Sequence, residues 1–176
     1  IAHMRQASAA RTKEKKCDGL PPIKEPLERL SADHMIHNRS RDGKQEHYVS
    51  FTIRDEFSGC GLAFPRQERT QDSNYKDLKN FVGARGPTRP KILVKSDAAK
   101  EITSAVSQLG WLAEPALQNR WPHNTVHERW IGTLKSTTRS AVLQSGFPES
   151  AADWVIPFAA LTLAFSQPCP IHPHEK

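Results

Sequence analysis

The sequence predicts an α/β fold in which a mixed five-stranded sheet is flanked by helices. Two observations lead to this prediction. The apolar residues first alternate with a period of two and later recur at helical spacing, which gives the order β-β-β-α-β-α-β-α-α. The chain has 176 residues, of which 37% are hydrophobic, so it can build one modest core and suits one domain with tails.

The first three predicted strands form an antiparallel meander. Apolar and other residues alternate over residues 30–36, and a second alternating stretch covers residues 49–55. Between them, Asp42 and Gly43 form a dipeptide that favours a tight hairpin turn. A third strand is predicted over residues 60–64. Strands that follow one another through short turns pair in antiparallel fashion.

The second half of the chain changes to helical spacing, interrupted by two short strands. In order, the pattern predicts a helix over 75–82, a strand over 92–94, a helix over 102–109, a strand beginning at 111–112, a long helix over 126–142 and a buried helix over 150–165. Strands alternating with helices indicate a sheet that is covered by helices.

Charge and proline content divide the chain into three parts. Residues 1–27 form a basic arm that continues into a proline-containing linker, residues 28–168 form the core, and residues 169–176 form a tail. The arm is interpreted either as a solvated tail or as a DNA-contacting segment. The net charge of +6 and pI near 9.4 suit an anionic partner such as nucleic acid, although many basic proteins bind none.

The composition argues against several other classes. The three cysteines lie far apart without a C-x-x-C pair, so the sequence predicts neither a disulfide framework nor a complete zinc site. The most apolar stretch, residues 154–165, contains Pro157 and is shorter than the ~20 residues that span a bilayer. No membrane association is predicted.

Three acidic residues carry the functional hypothesis. Asp33 lies within the first predicted strand, Asp97 closes the I-L-V-K-S-D pattern of the fourth, and Glu128 opens the long helix. Carboxylate oxygens are the ligands that hard divalent cations prefer. Each residue also has a simpler interpretation: Asp33 as an exposed strand residue, Asp97 as a helix N-cap, and Glu128 as the partner of Thr125 in a capping box.

Five blocks of sequence, in order, resemble a known family. They are L-S-A-D-H-M, V-S-F-T-I-R-D-E-F-S-G, V-K-S-D-A-A-K-E-I, P-H-N-T-V-H-E-R-W-I-G-T-L and W-V-I-P-F-A-A-L-T-L-A-F-S-Q-P. Together they resemble the catalytic core of retroviral and retrotransposon integrases, most closely the copia-type group. The resemblance runs from about residue 28 to residue 168.

The resemblance implies a ribonuclease-H-like fold and a metal-dependent polynucleotidyl transferase. Asp33, Asp97 and Glu128 would be the catalytic residues and would bind two Mg²⁺ or Mn²⁺ ions about 3.5–4 Å apart. The implied reactions are 3′-end processing and strand transfer of DNA, with element ends and target DNA as partners. The chain could act as a homo-oligomer, and in a eukaryote the resemblance implies the nucleus. Without metal, three close carboxylates favour protonation of one of them or a disordered geometry.

Three further residues are candidates for contact with DNA. Asn124, Lys135 and Arg139 lie at −4, +7 and +11 from Glu128, which places them close to one face of the long helix. A solvated helix face is the alternative interpretation. The histidines near the motifs, His37 and His127 among them, are interpreted as loop or surface residues without a metal role.

The chain departs from the family pattern at several positions. Glu128 follows Asp97 by 31 positions, an interval that is a few residues shorter than the usual one in the family. Ala98 and Ala99 stand where the family has an Asn-Gly pair, and Thr125 stands where it has a glycine. These departures favour a second hypothesis, a decayed or repurposed domain that binds nucleic acid without catalysis. A third hypothesis is a nuclease of the same fold that hydrolyses DNA without strand transfer.

Overall fold

The computed structural model describes residues 22–41, 44–83, 92–115 and 125–166. Its elements, in chain order, are β1 (Arg29–Arg41), β2 (Lys44–Asp55), β3 (Gly61–Arg66), α1 (Gln71–Val82), β4 (Leu93–Ser96), α2 (Lys100–Gln108), β5 (Leu112–Pro115), α3 (Thr125–Ser145), a short 3-10 turn (Glu149–Ala151) and α4 (Ala152–Ser166). This order of strands and helices is the one that the sequence predicts. The hairpin turn at Asp42 and Gly43, most of the basic arm and the whole tail lie outside the described residues.

The five strands form one mixed sheet in the order β3-β2-β1-β4-β5. β1 pairs antiparallel with β2, and β2 pairs antiparallel with β3, which confirms the predicted meander. β4 runs parallel to β1, and β5 runs parallel to β4, because helices α1 and α2 carry the chain back across the sheet between them. The predicted α/β fold class is therefore confirmed.

Each face of the sheet carries its own hydrophobic core. On one face, α1 and α2 pack on the central strands through a cluster that includes Leu30, Phe51, Ile53, Leu78, Val94 and Ile102. On the other face, α3 and α4 pack through Met35, Trp130, Leu134, Ile156 and Ala160. Because successive strand residues point to opposite faces, Asp33 shares the second face with Met35.

Helix α4 differs from the buried helix that its composition predicts. Its inner face, which includes Ile156 and Ala160, is buried, but Trp154, Phe158 and Phe165 are exposed. The sequence signal fails because α4 is apolar on all sides, so hydropathy alone does not tell which face meets the core. None of the helices in the described part of the chain has the length and apolar character needed to cross a bilayer.

Candidate active site

Asp33 and Asp97 occupy corresponding positions on two neighbouring segments of the chain, one within β1 and one directly after β4. β1 and β4 are parallel, and the last residues paired between them are Ala32 and Ser96. The next residue in each segment is an aspartate, Asp33 within β1 and Asp97 directly after β4. The parallel register therefore places Asp33 and Asp97 at neighbouring points of the sheet.

Glu128 reaches this point from the first turn of α3. The helix is fixed by a buried stripe at helical spacing that includes His127, Trp130, Ile131 and Leu134. Gly61 at the start of β3 permits close packing, because a Cβ there would lie 2.5 Å from the Trp130 ring. Glu128 itself stays exposed at the end of the helix.

The charges of the three residues act on one another. Burial, followed by the charges of Asp97 and then Glu128, raises the pKa of Asp33 to about 6, while the backbone N–H of His34 and the charge of Arg69 oppose the rise. The His34 N–H donates to Asp33 Oδ1 at 2.7 Å. The charges of Asp97 and Glu128 thus act on Asp33, whose ionised form is disfavoured first by its burial.

The simpler interpretations fail for two of the three residues. Asp33 is half-buried, so it is not an ordinary exposed strand residue. The N-cap of α2 is Ala99, without a side-chain cap bond, and Asp97 Oδ1 accepts only a long 3.4 Å contact from the Ala99 N–H. The capping box of Glu128 depends on the Thr125 side chain, which lies outside the described side chains.

The donor set suits a divalent metal ion, although it does not converge in this conformation. Among the residues that the structure describes, no three His, Cys, Asp or Glu side chains close around a single metal position. Asp97 and Glu128 extend into solvent while Asp33 is half-buried. All three offer the oxygen ligands that Mg²⁺ prefers, and a cation beside Asp33 would offset both the burial and the neighbouring negative charges that raise its pKa.

A buried chain of hydrogen bonds joins α3 to the strand that carries Asp33. Thr52 Oγ1 lies 2.8 Å from the Asp33 carbonyl oxygen and 3.0 Å from His127 Nε2. The hydroxyl has one proton, which it donates to the carbonyl, so it accepts from the Nε2–H of a neutral His127. Burial, helped by the charge of Arg54, lowers the pKa of His127 to about 3. The interpretation of His127 as a loop or surface residue is therefore wrong.

Of the predicted DNA contacts, Lys135 and Arg139 lie exposed on the same face of α3 as Glu128. Asn124 lies outside the described residues. The structure adds a cation that no sequence motif indicates: Arg69, exposed in the loop between β3 and α1, is close enough for its charge to act on Asp33.

Comparison with known proteins identifies the fold. No protein-family model and no curated protein sequence matches the chain. The HTLV-2 integrase catalytic core domain in complex with magnesium is similar in structure, with a TM-score of 0.56, 15% identity and coverage of 78% of this chain and 85% of that one. The integrase of a simian T-cell lymphotropic virus intasome has a TM-score of 0.58 and 17% identity, with coverage of 86% of this chain and 55% of that one. The BIV integrase catalytic core has a TM-score of 0.52 and 15% identity, with coverage of 80% of this chain and 86% of that one. The chain therefore has the ribonuclease-H-like fold of the retroviral integrase catalytic cores.

Proposed function

We propose that the chain is the catalytic core of a retrotransposon integrase of the copia type, a metal-dependent polynucleotidyl transferase that processes DNA 3′ ends and joins them to target DNA. The observation that supports the proposal is the arrangement of Asp33 within β1, Asp97 directly after the neighbouring parallel strand β4 and Glu128 in the first turn of α3, with the charges of Asp97 and Glu128 acting on Asp33. The similar cores add support, because one is described in complex with magnesium and another within an intasome.

Each group of residues has a role in this proposal. Asp33, Asp97 and Glu128 would hold a pair of Mg²⁺ or Mn²⁺ ions, which when bound supply Lewis-acid stabilisation to the attacking and leaving oxygens. The bonds from His127 through Thr52 hold α3 against β1 and thereby keep Glu128 beside Asp33. Asn124, Lys135 and Arg139 would bind phosphates, which gives affinity but little sequence selection.

A second candidate function is nucleic-acid binding without catalysis by a decayed or repurposed domain. The observation that favours it is that no three ligands converge on a metal position within the described residues. Two departures from the family pattern also favour this function: the short interval between Asp97 and Glu128, and Ala98 and Ala99 in place of an Asn-Gly pair. The net charge of +6 would serve this function equally well.

A metal titration combined with a DNA assay tests the first proposal. Calorimetry with Mg²⁺ and Mn²⁺ should detect bound ions, and the chain should nick or join DNA only with metal. Asp97→Asn, Asp33→Asn and Glu128→Gln should each reduce the rate by at least ~10²-fold, since losing a metal clamp costs several kcal/mol. The matched control is Asp72→Asn, because Asp72 is exposed on α1.

The outcomes separate the candidates. A chain that binds no metal and lacks activity, yet binds DNA, fits the second function. Activity that survives Asp97→Asn belongs to another site or to a contaminant. Equal losses in Asp72→Asn and Asp97→Asn would show that the loss does not report the carboxylate site.

Salt dependence tests the DNA-contacting face. Each phosphate contact releases counterions, so Lys135→Ala with Arg139→Ala should reduce the slope of log affinity against log salt by about two at most. Lys76→Ala with Lys79→Ala removes the same charge from the exposed face of α1 and should leave the slope nearly unchanged. An identical slope in both double variants would remove Lys135 and Arg139 from the DNA-binding surface.

We also propose that two copies associate through α4. Its exposed apolar residues recur at helical spacing and form one stripe, the α4 stripe: Trp154, Phe158, Leu161 and Phe165. Asp153 is the sole charged residue of α4, so the stripe suits an apolar partner such as itself. Large aromatics bury about 150–250 Å² each, so two stripes would bury on the order of the 1,000 Å² that a specific interface needs. Dimeric and trimeric forms of the HTLV-2 core are described.

Sedimentation tests this association. The chain should form dimers or larger assemblies, and Trp154→Lys with Phe158→Lys should leave monomers. Leu112→Lys is the control, because Leu112 is an exposed apolar residue on the edge strand β5, away from α4. A chain that stays monomeric at high concentration would contradict the proposal.

A further inference from the structure

A cleft of about 400 Å³ lies between β1, α3 and α4, and none of the three carboxylates lines it. Met35 and Ile156, both almost fully buried, contribute to its lining, and so does Val142 of α3. The volume falls within the ~300–1,000 Å³ range of small-molecule sites. The cleft is therefore large enough for a flat organic group.

Two buried polar atoms in the lining have no hydrogen-bond partner within the described part of the chain. They are Thr138 Oγ1, in a residue 8% exposed, and His37 Nδ1. The other ring nitrogen of His37, Nε2, lies 3.5 Å from Asp153 Oδ1. The hydroxyls of Thr133 and Thr162 donate to carbonyls one helical turn back, whereas that of Thr138 does not. Buried polar atoms without partners are costly, so these two atoms indicate a ligand with a hydrogen-bonding edge.

Two cations complete the cleft. Lys135 and Arg139 both line it, and both side chains are exposed. They are four residues apart and so lie on one face of α3. The carboxylate of Asp153 lies 3.5 Å from His37 Nε2, and its negative charge disfavours an anion placed deep in the cleft. An anionic group would therefore sit near Lys135 and Arg139, with an uncharged part between the apolar walls.

From these features we propose that the cleft binds a nucleoside monophosphate unit. The base would lie against Met35 and Val142, its edge would meet Thr138 and His37, and its phosphate would meet Lys135 and Arg139. A bare phosphate would leave the two buried polar atoms unpaired. A purely apolar molecule would use neither those atoms nor the cations.

The unit has two possible sources, a free nucleotide or an unpaired nucleotide at a DNA strand end. The second source rests on the proposed function. Lys135 and Arg139 lie seven and eleven residues beyond Glu128, a rise of about 10 and 16 Å along the helix. A strand whose end lies at the carboxylates could place a neighbouring nucleotide in the cleft.

Calorimetry on the full chain in EDTA tests the site without any metal. The four deoxynucleoside monophosphates, thymidine and inorganic phosphate are the probes. We expect at least one monophosphate to bind about tenfold or more tightly than thymidine or phosphate. Lys135→Ala with Arg139→Ala should reduce its affinity to that of the nucleoside. Thr138→Val, of similar shape, should weaken it severalfold, and Val142→Phe should block the cleft.

Several results would overturn the proposal. One is the absence of binding by every monophosphate. Another is phosphate that binds as tightly as the nucleotide, which would indicate an unspecific anion site. A third is an equal loss in the control variant Lys76→Ala with Lys79→Ala. Because Lys135 and Arg139 are exposed, their variant should fold, and circular dichroism with a melting curve verifies this.

A second binding experiment, with DNA, distinguishes a free nucleotide from a nucleotide at a strand end. A duplex with one unpaired end nucleotide should bind more tightly than the blunt duplex, the gain should vanish when that nucleotide is abasic, and the free monophosphate should compete for it. Free nucleotide binding without any such gain supports the site and assigns it to free nucleotides. All of these measurements are made in EDTA. A failure of the metal-dependent chemistry would therefore contradict the proposed function without contradicting nucleotide binding in the cleft.

Discussion

The buried bonds from His127 through Thr52 to Asp33 predict how α3 is held beside the carboxylates. Thr52→Val keeps the shape of the side chain and removes the hydroxyl. His127 Nε2–H then loses its acceptor, and the Asp33 carbonyl loses a donor. Thr52 is 0% and His127 1% exposed, so water cannot replace the bonds without disturbing the packing. An unsatisfied buried donor costs about 1–3 kcal/mol, and the second lost bond adds about 1 kcal/mol.

A double-mutant cycle separates this bond from general packing. His127→Leu removes the donor together with the ring contact to Trp130, whose centroid lies 5.7 Å away. In Thr52→Val with His127→Leu, both partners are apolar, so no donor is left unpaired. The double variant should therefore be more stable than the sum of the single changes predicts, by about 1–3 kcal/mol.

Urea unfolding in EDTA, followed by circular dichroism, measures the free energies of the cycle. Ser50→Ala is the matched control, because Ser50 is also fully buried on β2 and its hydroxyl has no hydrogen-bond partner among the described residues. When Ser50→Ala is combined with His127→Leu, the losses in the free energy of unfolding of the two single variants should add up to that of the double variant. If the free-energy losses of Thr52→Val and His127→Leu also add within about 0.5 kcal/mol, the bond between these residues does not couple α3 to the sheet.

Three further predictions concern the site and its support. Gly61→Ala should destabilise the fold by about 1–3 kcal/mol, because its Cβ would meet the Trp130 ring, and Trp130→Phe should recover part of the loss in urea unfolding. Asp55→Asn should cost about 2–4 kcal/mol, because the buried carboxylate accepts from the N–H groups of Leu27, Phe57 and Ser58 and from the Ser58 hydroxyl; an unchanged melting curve would contradict this. Without metal, Asp33→Asn should stabilise the chain above pH 6 by up to about 3 kcal/mol, since a raised pKa disfavours the ionised folded state. This gain should shrink as the pH falls from 6 towards 4 and vanish below the ordinary aspartate pKa of 3.8, where folded and unfolded chains both hold the proton, and a gain that is constant with pH would refute the assignment.

The order of elements could be predicted because each buried face leaves a periodic trace in the sequence. The length of β1 could not. Alternation identifies residues 30–36, whereas β1 runs to Arg41, and β2 begins as early as Lys44. The extra residues are largely polar and are held in strand form by pairing with each other. Cross-strand hydrogen bonds do not depend on side-chain polarity, so they leave no hydropathy signal.

Asp33, Asp97 and Glu128 could be singled out because they occupy positions that sequence patterns locate, within a strand, directly after a strand and at a helix start. The role of His127 could not, since its partner Thr52 lies 75 positions away and both residues look ordinary locally. Arg69 was missed for the same reason, because it acts on Asp33 from a loop without a motif. The cleft at Thr138 and His37 depends on how β1, α3 and α4 pack, which periodicity does not specify.

The two faces of β2 differ in the polarity of their buried side chains. On β2, Phe51 and Ile53 enter the apolar cluster under α1 and α2, while Ser50 and Thr52, equally buried, face α3. Polar groups buried in this way contribute less than apolar ones of the same size, and unpaired ones cost free energy. Asp33 lies on the same polar face, opposite Thr52 in the register. The same face also carries the apolar cluster of Met35, Trp130 and Leu134, so the polar side chains are an inclusion within an apolar core, in which Thr52 bonds to His127 of the helix that carries Glu128.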